Sequence, residues 1–233
     1  MLFRSVNVPA DKNLVISLKF GNAVVQKLTG KGEFDIAYGN LTANQLTGFS
    51  TRLNLAYGKA DIESLGDAKV SLAYSKLFLG KGTVMELDSK YSGVNADEIR
   101  DIRFESKYDA FALGEVESLE GESKFTNYKI RVLEKKFRLE SSYGTVRVDR
   151  IPAGFEQIDI ISGYAQVSLG IDEGASYQIS ASCDYCNVNY PREKFRGNRM
   201  SENTSQKIDG KVNEGTGGEV KIKSRYGNIQ LVK

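Results

Sequence analysis

The residues best equipped for chemistry are the only two cysteines, Cys183 and Cys186, in the stretch CDYC. A Cys-x-x-Cys pair serves as a redox site, as half of a zinc site or as a short disulfide. Zinc would need a second pair or histidines, and the chain has no histidine and no further cysteine. Redox pairs of this type open a helix, whereas the surrounding QISASCDYCNVNY alternates as a strand and corner do. The pair is therefore read as structural, either a local disulfide or inert thiols.

Serines recur as Ser89, Ser106, Ser123, Ser141, Ser162 and Ser224, always in the same place relative to an aromatic residue. Without a histidine to activate them they read as hydroxyls that bond to one another or to backbone, not as nucleophiles. Enzymes that cleave polysaccharides on a β-helix need clustered carboxylates on one outer face, often beside Arg, Lys or calcium. Here Asp159, Asp172, Glu173 and Asp184 are scattered near irregular stretches, and no Asp pair sits beside a lone Arg. Glycine-rich nucleotide loops and calcium-binding nonapeptides are absent from the sequence. No catalytic residue, no cofactor-binding residue and no metal ligand is assigned, and no cofactor is expected. A polysaccharide-active lyase or hydrolase stays as the rival class.

The elements that would position these residues follow from a repeat. In FESKYDAFALGEV, small or apolar residues follow Tyr108 at three, five and eight positions, as Phe111, Leu113 and Val116. The same frame fits Tyr57, Tyr74 and Tyr91, and it predicts a column of Phe20, Tyr38, Tyr57, Tyr74, Tyr91, Tyr108, Phe125, Tyr143, Tyr164, Tyr185 and Tyr226. A period near seventeen with two-residue alternation inside it is one coil of an all-β, single-stranded parallel β-helix or β-solenoid, here of about ten to eleven coils. Successive coils in register would bury the eleven rings as a single file. Gly39, Gly58, Gly144 and Gly227 directly follow an aromatic and are expected to supply positive φ at a corner.

Residues 1–19 read as an N-terminal capping segment, with Leu2, Val6 and Val8 alternating, and residues 20–233 as the solenoid domain. Its later coils are irregular around Ala153–Gln157 and Gly170–Ala175. The polar stretch 191–218 is expected to be a surface loop with a short hairpin in QKIDGKV. The frame resumes at Val220 and then stops, which would leave an uncovered last coil and invite end-to-end pairing of copies.

Outward positions form columns of their own. Asp88, Glu105, Glu122 and Glu140 make an acidic one, with Lys90, Lys107 and Lys124 beside it to offset the repulsion, as a solvated face would. Net charge is +2 over 233 residues with 27% charged and 40% apolar, too balanced to imply nucleic acid. No apolar run reaches the ~18 residues of a membrane span, and LFRSVNV after Met1 is no secretory leader.

The phrases FGNAVVQKLTG, AYGKADIESL, SKYDAFALGEVESLEGESKF, SSYGTVRVDRIPAGFEQIDI, GYAQVSLGI and SRYGNIQLVK resemble the bacterial adhesin-type domain family of unknown function, over roughly Phe20 to Lys233. The resemblance implies an exported β-solenoid, placed in the periplasm or at the cell surface, and carries over no catalytic residues. The expectation is a non-enzymatic surface binding or scaffold module whose partner is a protein or glycan, met by the loops at Ala153–Gln157, Gly170–Ala175 and Pro191–Gly218. Self-association is a further rival.

Overall fold

The computed structural model describes residues 5–231, so Leu2 lies outside it. Val6 and Val8 of the same expected alternation are exposed and belong to no strand. Seven short strands come first: β1 (Leu14–Lys19), β2 (Asn22–Leu28), β3 (Gly32–Ala37), β4 (Asn40–Leu46), β5 (Thr51–Ala56), β6 (Lys59–Leu65) and β7 (Ala68–Ala73). Longer ones follow: β8 (Lys76–Lys90), β9 (Gly93–Lys107), β10 (Ala110–Ile151), β11 (Gln157–Ile171) and β12 (Tyr177–Asp184). The chain ends with β13 (Val188–Asn189), β14 (Phe195–Glu202), β15 (Ser205–Val212), β16 (Gly218–Arg225) and β17 (Ile229–Gln230). No helix occurs among the described residues.

As far as β11 the strands pair in parallel with those a turn later, as in Leu53↔Val70, Val70↔Leu87 and Leu87↔Phe104. The fold is the expected all-β solenoid, with about nine turns. Nine intervals separate Phe20 from Tyr185, and the stretch Cys186–Tyr226 holds a hairpin before its last strand, β16, rejoins the stack. Single turns cannot bury their own apolar face, so the core is one continuous file system shared between neighbours. It contains the residues three and five after the aromatics and most of those eight after, such as Leu41, Ala43 and Leu46, together with Phe34, Leu53, Val70, Leu87 and Phe104 of the preceding strands; Gly82, Asp172 and Glu193 stand at the eighth position outside it.

The aromatic residues themselves are not in that core. They do form a single file, Phe20 to Tyr185, with ring centroids 4.7–5.1 Å apart. The file stands outside the sheet, with exposures of 41–55% except for Phe20 at 71%. The cause is local. Every one of these residues takes left-handed backbone, from φ 51° at Tyr74 and Tyr91 to 62° at Phe20, and this turns the side chain outward at the corner. The aromatic, not the glycine after it, supplies the positive φ; only Gly144 among the four predicted glycines has one. Gly39 and Gly58 are required for another reason. A Cβ at Gly39 would collide with the Gly21 carbonyl, and one at Gly58 with the Gly39 carbonyl, as adjacent corners nest.

The C-terminal region departs from a simple stack. β16 lies between β11 and β12, with Ile222 paired to Ile160 on one side and Ala181 on the other. Accordingly Tyr226 sits between Tyr164 and Tyr185 in the aromatic file. The last coil in sequence is thus enclosed, and the open end expected there does not exist. Within 191–218, β14 and β15 form an antiparallel hairpin, longer than the one expected, whose β15 lies antiparallel on β12 through Tyr177↔Val212 to Asp184↔Ser205. Ile208, Val212 and Phe195 are buried by it. The irregular stretches close this end too: Phe155 packs 5.7 Å from Tyr177, and Asn213 Nδ2 donates to the Ala175 carbonyl at 2.7 Å.

Candidate interaction surface

The predicted serine file is inside, as its position in the frame requires. All six serines are buried, with Ser123 Oγ donating to Ser141 at 3.1 Å and Ser162 Oγ to Ser224 at 3.0 Å. The position after each aromatic adds further polar groups that the sequence reading missed. Asp109 is buried there and accepts from Ser89 Oγ (2.7 Å), Ser106 Oγ (2.8 Å), the Ser92 amide (2.6 Å) and the Lys107 amide (3.2 Å). Ser75, Ser92 and Thr126 fill the same position in neighbouring turns, where Gly39 and Gly58 stand elsewhere. That substitution pattern was the available signal. A carboxylate satisfied by four donors inside a β-stack is structural.

Cys183 aligns with Ser224 in the serine file and is disulfide-bonded to Cys186 across the Asp184–Tyr185 corner, with Cα atoms 5.5 Å apart. The Ser106–Asp109 hydrogen bond spans an equivalent corner at the same spacing of three residues. The disulfide is thus a covalent version of a contact the fold already uses.

Three tyrosines lie in the interior, Tyr128, Tyr177 and Tyr190. Tyr128 packs edge-on to Phe111 at 5.1 Å, and its hydroxyl is buried without a hydrogen-bond partner. Burial raises its phenol well above the usual range, and the nearby Ser123 and Ser106 hydroxyls only partly oppose this. Burial alone pushes the Tyr177 phenol up to about 12.

The scattered carboxylates do not converge. Arg150 holds Asp172 at 2.9 Å, Lys194 approaches Glu173 at 3.6 Å, and Asp184 accepts from Ser205 Oγ at 2.7 Å. Among the described residues no group of three or more Cys, Asp or Glu could hold a metal ion.

The outer face built by β5, β7, the later parts of β8 and β9, the middle of β10 and the first part of β11 is organised differently. A shallow trough of about 690 Å³ runs along it, walled by two files of outward side chains. One wall alternates in sign along Lys69, Glu86, Arg103, Glu120 and Arg138. Its contacts include Lys69–Glu86 at 2.7 Å, Arg103–Glu120 at 3.6 Å and Arg138–Glu120 at 3.1 Å. The Lys69 ammonium, hydrogen-bonded to it, holds the Glu86 carboxyl below its usual range.

The other wall is the predicted acidic file, Asp88, Glu105, Glu122 and Glu140, and Lys90, Lys107 and Lys124 run beside it in the same register. The expected offset between these two files is not made by contact. None of the seven side chains forms a hydrogen bond or an ion pair within 4.0 Å, and all seven are exposed. Neighbours in a file sit ~4.8 Å apart along the stack, and the two files ~7 Å apart across it. Immediately past the lysines comes the exposed aromatic file, at Tyr91, Tyr108 and Phe125. Ring faces there are covered by neighbouring rings, so the file offers edges and hydroxyls rather than stacking platforms.

No family model, no curated protein and no solved structure matches the chain.

Proposed function

We propose that the chain is a non-enzymatic β-solenoid scaffold, exported from a bacterial cell, that binds a protein or glycan through its striped outer face. The observation that carries this reading is the register. Nine turns hold outward side chains in straight files, so a surface ~43 Å long is set by the backbone rather than by loops. The same backbone spreads carboxylates along a line at strand spacing, whereas glycoside cleavage needs an opposed pair across a bound sugar. The stretches 153–157, 170–175 and 191–218, which looked like partner-facing loops in the sequence, are engaged in closing one end. The adhesin-type resemblance supports export.

The test combines a bacterial glycan array with a polygalacturonate turnover assay and fractionation of the source cells. Binding without release of new chain ends, by protein found outside the cytoplasm, is expected. Turnover of the polymer, or cytoplasmic recovery, would overturn the reading.

A further inference from the structure

We infer that the striped face is a self-complementary docking surface, on which a second copy of this chain seats in parallel. This rests on reading that face as the interaction surface, and it names the occupant.

The fold itself supplies the comparison. In the alternating wall, like charges are avoided turn by turn from Lys69 onward, through Glu86, Arg103, Glu120, Arg138 and Asp159, with Arg52 beside Lys69 the one exception along the trough. One position along the same strands, four carboxylates follow one another without a partner, and one position further three lysines do the same. Like charges in adjacent rungs repel. A ligand that relieves both files must carry both signs in parallel stripes ~7 Å apart. A linear polyanion would relieve the lysines and worsen the carboxylates, and a polycation the reverse. The chain's own surface has the required pattern.

Symmetry makes the fit specific. Consider a two-fold axis lying in the interface, parallel to the stack and midway between the two files. It keeps every turn at its own height and sets the acidic file of one copy against the lysine file of the other. Asp88 then meets Lys90 of the second copy, Glu105 meets Lys107, and Glu122 meets Lys124. The aromatic file stands just beyond the lysines. The same operation therefore lays Tyr91, Tyr108 and Phe125 over the trough between the acidic file and the alternating wall. A ridge enters a groove, and phenol hydroxyls reach the carboxylates lining it. Seven rungs of the trough, from Arg52 to Asp159, span ~30 Å, and the three files with the ridge ~20 Å across. With the relief of ridge and groove added, this approaches the ~800 Å² per partner of a standard interface.

Sedimentation velocity on the whole chain tests it with two variants. The first carries Lys90→Glu, Lys107→Glu and Lys124→Glu; the second carries Asp88→Lys, Glu105→Lys and Glu122→Lys. Wild type is expected to be a dimer at low salt, weakened at high salt. Each variant alone should lose self-association by at least ~100-fold in Kd, because like stripes then face each other. An equimolar mixture of the two should recover a 1:1 dimer, which also shows that both are folded. A monomeric wild type overturns the inference, as does a dimer indifferent to both charge sets or a mixture that stays monomeric. A monomer that still binds a glycan through this face overturns the second copy as occupant and leaves the scaffold reading standing.

Discussion

At the scale of single residues, the aromatic corners balance two opposed effects. Left-handed backbone costs a non-glycine residue about 1–2 kcal/mol, while each aromatic stack returns about 0.5–1.5 kcal/mol and every interior ring has two. Tyr91 has φ 51°, with rings 4.9 Å away on both sides. Tyr91→Ala keeps the strain and loses both stacks, so a urea titration should show a loss of about 1–3 kcal/mol. Tyr91→Gly loses the stacks but also the strain, and should be the more stable of the two by about 1 kcal/mol, opposite to the usual order within strands. Asp109 offers a second check. Asp109→Ala strands buried donors and should cost about 3 kcal/mol, while Asp109→Ser, which copies Ser92 one turn before, should cost clearly less.

The interior phenols fix an alkaline limit. Tyr128 and Tyr177 are raised by burial above the ~10 of an unfolded tyrosine. In that window the unfolded chain loses these protons first, so their contribution is full below about pH 10 and falls as the pH climbs toward 12. Urea midpoints should drop between pH 10 and 11.5, and less so in Tyr128→Phe and Tyr177→Phe variants. A midpoint that holds through this range contradicts their burial. The recurrence of aromatics made their register legible in the sequence but not their side. Counting by twos carries a residue's face along a straight strand, and the count breaks where a corner residue takes positive φ. Nothing in the residue type announces a tyrosine in that conformation.

At the scale of elements, the C-terminal end shows where periodicity stops being informative. VKIKSRYGNI matches the frame, and Val220, Ile222 and Ser224 take the places the frame gives them. The frame fixes what faces inward; it does not fix which turn lies next to which. β16 therefore slots between β11 and β12, and β15 finds the vacant antiparallel side of β12. Hydrogen exchange should separate the two arrangements. Amides of β16, bonded within a three-strand sandwich, are expected to exchange as slowly as those of β11, and amides of the outermost strand β14 the fastest. If β16 exchanges as β14 does, it lies at an edge and the enclosed placement is wrong. The exposed edge of β14 carries Arg196, Arg199 and Glu202, charges that discourage further strand pairing at this end.

At the scale of the whole molecule, the solenoid is a stack of nearly interchangeable turns, and the binding proposed for it rests on what those turns display in line. The repeat, the core positions other than the aromatic file, the serine file and the acidic and basic stripes were legible from spacing alone. The trough, the unpaired state of both stripes and the ridge beside them were not, because they depend on side-chain reach and corner geometry rather than on order. The most direct measurement is removal of one whole turn, Gly58–Tyr74, which joins Tyr57 to Ser75 in frame. The shortened chain should keep its β-rich circular dichroism and a cooperative urea transition, with a slightly smaller m-value as less surface is buried. An unfolded or aggregated product, where removal of only half a turn, Gly58–Gly66, behaves no worse, would show that the turns are not stacked in register.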